Sequence, residues 1–470
     1  MPRALAWLIL ALLSTGCLPD NPSVEAGETG SEVDEEERVE DGPLGCPAGE
    51  ACTMIALSQT LDDRVDLFTG RGPGPGYRGS LDLDLVPNQN GDISGDLLDE
   101  PYGIGWDGAA LSVLVGHYPS REVGSLLRIP AAGLVDYAPG SLIPREDWFG
   151  EAGAMGLGIE LLGLEREEPL SLLVEPETNT RLVSVFANDR TTPETQWTTI
   201  SELLVVDEDG AVTSVDATCP GAWAIVPLDE DFDTLAIACD GDESIVIFDS
   251  SGLGAGEAPS VRCKGSVPFS LKRVRYLAPD GLGGALVVEH PPIISPDELA
   301  RLWWFDGDCE LRGFTDLEGN LSWSTRELIR IPANDPRWLL ARTDGDERGV
   351  WVLAGDPAAG SVETCGRLDA LDEAGAWVSA ANGDELRPHA LELTSDGLGL
   401  AISTGPADYD DAGPGYGSVW WTELDYGDDP CAATAIDPVE LGAAAPAVDP
   451  AIPETWRRAP DVMTLIEVAP

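Results

Sequence analysis

AWAIVPLDEDFDTLAIACDGDESIVIFD, residues 222–249, decides how the rest of the chain is read. Three short apolar runs, AWAIV, TLAIAC and SIVIFD, are separated by an acidic turn and by Asp240-Gly241-Asp242-Glu243. Runs of this length, rich in Val and Ile and bounded by Asp and Gly, read as strands joined by tight turns. Asp and Gly suit such turns because they tolerate positive φ.

The same order recurs along the chain, and a fixed period is the mark of a repeat architecture. One copy runs VRYLAPDG, GALVVEH, RLWWFDGD and ends near Asp308. Another runs ELIRIPANDP, RWLLARTDGDERG, VWVLAGD, and a fourth runs HALELTSDG, LGLAIS, SVWWTELD to Asp425. Two looser copies come earlier, YGIGWDG, ALSVLVGH, GSLLRIP and PLSLLVEPETN, RLVSVF, ELLVVDEDG. No long helical periodicity interrupts them. The class is all-β. Period and pattern resemble exported β-propellers with "PDG" hairpins, the resemblance resting on Pro279-Asp280-Gly281 and Ser395-Asp396-Gly397. It implies a ring of four-stranded blades. LDLDLV (81–86) and Val462–Val468 are expected to build a last blade from both ends of the chain. That makes seven blades, with six or eight as alternatives; a pair of β-sandwiches is the rival architecture. In each Trp303-Trp304 and Trp420-Trp421 pair, one ring is expected in the core and its neighbour outside.

The N-terminus carries a different message. Arg3 precedes an apolar run, Ala4–Leu13, that is too short for a spanning helix, which needs roughly 20 apolar residues. It reads as a signal peptide. Leu13-Ser14-Thr15-Gly16-Cys17 resembles the lipobox of bacterial lipoproteins, although Ser14 stands where that family usually has Leu. The resemblance implies cleavage before Cys17 and a diacylglycerol on its sulfur. The alternative is an ordinary secretory signal with an incidental cysteine. Leu18, in place of the Asp that holds many lipoproteins at the inner membrane, implies the outer membrane. The expected organisation is a signal peptide (1–16), a lipidated, disordered acidic tether (17–45) and a propeller domain (46–470).

Acidity is extreme: 84 Asp and Glu against 27 Lys and Arg, a net charge of −57. The tether holds only ten of those acids, so the surplus belongs to the folded part as well. Nucleic acid is excluded as a partner, because phosphate binding needs clustered Lys and Arg. The expected partners are the membrane, through the lipid, and an envelope protein or glycan.

Nine cysteines leave eight beside Cys17: Cys46, Cys52, Cys219, Cys239, Cys263, Cys309, Cys365 and Cys431. An even number in an exported protein points to disulfides. No C-x-x-C favours zinc. Cys46 and Cys52 are expected to close a small loop at the domain entrance. Cys219 precedes one blade's first strand and Cys239 ends its second, so these two pair. Cys263, Cys309, Cys365 and Cys431 fall in or near fourth, outer strands, with pairing open.

In such rings one face carries the loops after second strands, and here several of these are long: about 116–123, 188–199, 290–299 and 405–417. His117 and His290 end second strands and are expected on that face, where Asp408, Asp410 and Asp411 offer oxygen ligands for a metal. Trp197, in a long loop, is the candidate stacking surface for a sugar or peptide. Asp229-x-Asp231-x-Asp233 resembles the start of a calcium loop without its glycine, so structural calcium is an expectation. No G-x-S-x-G, P-loop or dinucleotide fingerprint occurs. Two functions remain: a non-catalytic binding or scaffold propeller at the envelope, or an envelope hydrolase or lyase using loop-face carboxylates, with calcium. An enzyme should show buried ionisable groups at the central opening of that face; apolar plugging there argues for a scaffold.

Cys17→Ser is expected to abolish lipid attachment and shift the protein from the detergent to the aqueous phase on phase partitioning. Unchanged detergent partitioning would show that the cysteine is incidental.

Overall fold

The computed structural model describes residues 52–59, 64–72, 74–83, 99–117, 122–134, 141–143, 160–164, 166, 169–185, 201–267, 273–290, 301–317, 327–342, 348–379, 383–405, 417–427, 429, 431–442 and 460–468. The chain divides into two compact units, Met1–Val39 and Glu40–Pro470, and all of these residues belong to the second.

Seven antiparallel sheets form a ring of blades. Blade 1 takes its innermost strand, Pro460–Val468, from the C-terminus and the next three, Cys52–Gln59, Arg64–Thr69 and Gly76–Asp82, from the N-terminal side. The two ends meet in register from Cys52 opposite Val468 to Gln59 opposite Pro460. The expected closure from both termini holds, with one correction. The N-terminal strand that pairs with the C-terminal one is CTMIALSQ, whereas LDLDLV contributes only Leu81 and Asp82 to the blade's outer strand. Blades 2 to 7 follow in chain order, with innermost strands Asp99–Trp106, Pro169–Val174, Ala222–Pro227, Arg273–Pro279, Leu328–Arg330 and Arg387–Leu393. Each of the six repeats read in the sequence is one of these blades. Blade 1 also gains a fifth, parallel strand, Ser141–Ile143, contributed by the connection between the last two strands of blade 2. It covers an outer edge that would otherwise be open to pairing.

Both faces of every blade are buried against neighbours, which explains the near-continuous apolar strands. Trp303 and Trp304 are both fully buried, and Trp420 and Trp421 are each only 6 % exposed. The expectation that one ring of each pair points outward is therefore wrong. Successive strand residues face opposite blades, and in a ring both directions are interior. Trp303 packs in the seam between blades 4 and 5 and Trp304 in the seam between blades 5 and 6, edge-on to Trp338 at 5.8 Å.

The disulfides follow blade geometry. Cys219–Cys239 forms as expected, with Cα atoms 5.2 Å apart. Cys263–Cys309 and Cys365–Cys431 are a matched pair of cross-links. Each ties the outer strand of one blade to the turn before the outer strand of the next, blade 4 to 5 and blade 6 to 7. Cys52 is also disulfide-bonded, while Cys46 and Cys17 lie outside the described residues.

The abundant aspartates are explained mainly at the hairpin face, where first strands turn into second strands and third into fourth. Asp107, Asp207, Asp229, Asp280, Asp306, Asp356, Asp396 and Asp429 each accept backbone N–H groups two to five residues ahead through one carboxylate oxygen. A short carboxylate closes the turn and satisfies donors that the strands leave open. Asp280 does most. Its Oδ1 accepts from Leu282 and Gly284, its Oδ2 accepts the Trp304 indole N–H at 2.9 Å, and it is 1 % exposed. Gly281, at φ +73°, completes this turn. Asp107 plays the same part in blade 2 and also pairs across the seam with buried Arg181 of blade 3 at 3.2 Å.

Asp280→Ala is expected to cost about 2–4 kcal/mol, because two backbone donors and a buried indole lose their acceptor. Urea denaturation followed by tryptophan fluorescence measures it; a loss no larger than that of an exposed Asp→Ala control would refute the role.

Glu392, on the innermost strand of blade 7, keeps some exposed surface yet is surrounded by protein. Burial first, and Glu467 on the terminal strand second, push its carboxyl up to about 8. A folded-state value above the unfolded one means the native state holds the proton more tightly. The stability this lends is complete below the unfolded carboxylate range and is lost as pH rises through about 8. Glu392→Gln is therefore expected to flatten the fall in melting temperature between acid and alkaline buffer. An unaltered pH profile would remove Glu392 as its source.

Candidate functional site

Each first strand starts at the face opposite the hairpins, so second strands end there and third strands begin there. The connections after second strands in blades 2, 3, 5 and 7 span 118–121, 186–201, 291–300 and 406–417. His117 and His290 each end a second strand, which puts both at this face by backbone position, as expected. Their side chains lie outside the described residues, and so do Trp197, Asp408, Asp410 and Asp411.

The same strand ends carry a set of ionisable residues that sequence reasoning passed over. Arg273 and Arg387 open the innermost strands of blades 5 and 7, and Arg342 ends the second strand of blade 6 between them. Glu289 is the penultimate residue of the second strand of blade 5, and His389 is the third residue of the innermost strand of blade 7. Arg64 opens the third strand of blade 1. These positions form an arc on the long-loop face through blades 5, 6, 7 and 1. Arg64, Glu289, Arg342 and His389 are all buried. ALVVEH is apolar until it turns polar at this end, and RWLLAR carries an arginine at each end of an apolar middle.

Local partners fix several of these groups. Asp66 accepts from Gln59 at 2.9 Å and from Ser80, and its carboxylate lies 3.0 Å from the Arg64 guanidinium. Glu289 accepts the indole N–H of Trp303. The guanidinium of Arg342 lies 4.9 Å from the Trp351 ring, a cation–π arrangement. In blade 7, Ser418 bonds Thr404 at 3.1 Å and the Trp420 indole at 2.9 Å, while Ser403 accepts the Ala390 N–H. Burying charges is costly unless they are paired or used. Guanidinia at a channel mouth are suited to carboxylates and phosphates, and Glu and His are suited to proton transfer.

The calcium expectation meets a different use of the same residues. Asp229 spends its Oδ1 on the Asp233 and Thr234 N–H groups. Among the described residues no group of three or more His, Cys, Asp or Glu is placed to hold a metal ion. The Asp229–Asp231–Asp233 run is a hairpin turn.

The arc was not legible because an Arg or His at a strand end looks like ordinary punctuation. Its signal was positional. Residues at equivalent strand ends in four blades carry it, and that equivalence appears only once strands are counted from a common face.

No family model and no curated protein sequence matches the chain. Among solved structures it is similar to a periplasmic gluconolactonase of Pseudomonas aeruginosa (11 % identity, 90 % of this chain and 100 % of that one, TM-score 0.51). It is also similar to a 6-phosphogluconolactonase, so named provisionally, of Bacteroides fragilis (12 % identity, 88 % and 98 % coverage, TM-score 0.50). At such identities the likeness is one of fold, and the fold is a seven-bladed β-propeller.

Proposed function

We propose that this chain is a cell-envelope hydrolase, lipid-anchored through Cys17, that opens a small anionic lactone or ester at the long-loop mouth of its ring. The observation that carries the reading is that buried Arg342, Glu289 and His389, together with Arg387 and the backbone position of Arg273, stand at strand ends of one face, in a chain of net charge −57. Where acids outnumber bases threefold, three arginines at strand ends of one face mark an anion site rather than chance. Buried ionisable groups at strand ends of blades 5, 6, 7 and 1 on that face favour an enzyme over a scaffold.

In the proposed reaction a water oxygen bonds to the carbonyl carbon and gives a proton to a neighbouring base, for which Glu289 and His389 are the available groups. Negative charge gathers on the carbonyl oxygen, where a guanidinium stabilises it. The ring C–O bond then breaks, the leaving oxygen takes a proton, and the product is a hydroxy acid. The two similar structures are named for gluconolactones, which makes gluconolactone and its 6-phosphate the first substrates to try. Non-catalytic binding of an acidic sugar at the same mouth is the second reading, favoured by the engagement of Asp66 and of one Glu289 oxygen with internal partners.

The test is lactone hydrolysis by the full-length protein in detergent, followed by pH-stat. Turnover is expected, with Arg342→Met lowering kcat/KM by about 100-fold, the usual cost of one oxyanion donor. Saturable binding of gluconate without turnover selects the second reading. Neither turnover nor binding overturns both.

A further inference from the structure

The ring has a concavity on the hairpin face, away from the arginines of the long-loop face. We infer that this cavity, between blades 3 and 4, is a binding site for a neutral sugar ring. It measures about 290 Å³, close to the lower bound for small-ligand sites of roughly 300 Å³. One wall is the Glu175–Thr180 hairpin of blade 3, the other is Phe232 from the equivalent hairpin of blade 4, and Leu253 and Ser250 come from the next turn of blade 4.

Three features define the ligand. First, Glu175 is the only charged side chain in the lining. A lone carboxylate in a strongly acidic protein rejects anions and accepts hydrogen bonds from hydroxyl groups. Second, hydroxyls are concentrated there. Thr178 donates to Glu175 and shares a 2.8 Å hydrogen bond with Thr180, and Ser250 faces them across the cavity. Third, apart from Ser251 and Gly254 the remaining lining is four leucines and Phe232, and Leu253 is 3 % exposed. Alternating hydroxyls and C–H groups on a compact ring match a carboxylate with hydroxyls on one wall and a phenyl face on the other.

Phe232 supplies an independent observation. Its φ is +57°, the left-handed region, where a bulky non-glycine residue is a strained outlier. The Asp229 turn holds it there, with the Phe232 N–H directed to the Asp229 carbonyl at 3.4 Å. Neighbouring Asn, Asp or Gly would fit that backbone better. Yet a half-buried phenylalanine occupies it, packed against the core between blades 3 and 4 and lining the cavity. Strain kept at a cavity wall is the expected trace of a ligand contact.

The experiment is saturation-transfer NMR on the full-length protein in a polyoxyethylene detergent, with neutral methyl glycosides, gluconate and a small alkylammonium ion as separate probes. Transfer to at least one neutral glycoside is expected. Phe232→Asn relieves the backbone strain, so it is expected to leave the melting temperature unchanged or raised while weakening glycoside binding about tenfold, the loss of one stacked ring. Arg342→Met, at the opposite face, is expected to leave that binding intact even if lactone turnover fails, which separates this site from the other. Absence of transfer to every neutral glycoside overturns the inference. So does preference for the cation, or binding that Phe232→Asn leaves unchanged. A Phe232→Asn protein that melts lower would show that the ring serves packing instead.

Discussion

Closure of the ring through the pairing of Cys52–Gln59 with Pro460–Val468 is the constraint on which the rest depends. Each blade exposes two apolar faces and cannot bury them alone. Only a complete circle gives every face a partner, and only the meeting of the two chain ends completes it. Side chains reinforce the joint. Arg71, just past the third strand of blade 1, bonds Glu423 and Asp396 of blade 7, and the Ser395 N–H donates to Glu467 on the terminal strand. Glu423 and Asp396 are partly exposed, so these pairs contribute little energy each. Their role is to fix the angle at which the last blade meets the first.

The seams between blades show how tightly that geometry is specified. Gly313 on the outer strand of blade 5 faces Gly360 in a turn of blade 6, and a Cβ on Gly313 would lie 1.8 Å from the Gly360 carbonyl oxygen. Next to them Thr315 donates to the Val362 carbonyl at 2.7 Å. Backbone therefore touches backbone at the rim, while Trp304 and Trp338 fill the same seam further in. The Cys263–Cys309 and Cys365–Cys431 bridges act at the same radius. The outer edge, where the wedge between blades is widest and apolar packing thinnest, is where covalent and backbone contacts are placed.

The repeat was legible because it is written twice, in strand composition and in turn chemistry. AWAIV, TLAIAC and SIVIFD state both at once. Cys219 and Cys239 could be paired from strand order within one blade. Cys263 and Cys365 could not, since their partners belong to the next blade and depend on how two sheets are stacked. The tryptophan pairs were misread for a related reason. Alternation along Trp303-Trp304 distinguishes two faces, but not whether the second face meets water or another blade. LDLDLV looked like a closing strand from its alternation alone, while CTMIALSQ, buried along its whole length, has the composition that an interior position requires.

Charge separates what the acidic residues do from what the basic ones do. On the hairpin face the carboxylates of Asp107, Asp207, Asp229, Asp280, Asp306, Asp356, Asp396 and Asp429 hold turns, so much of the net charge there is a consequence of building many tight hairpins. It follows that acid clusters in this sequence carry little information about function. Arginine and histidine carry more, because no turn requires them. Those on the hairpin side, such as Arg181 with Asp107, are spent on seams. At the long-loop end buried Arg342 rests against the Trp351 ring. A buried cation at a strand end is costly to place there, and this, rather than acid content, is what directs attention to the long-loop face.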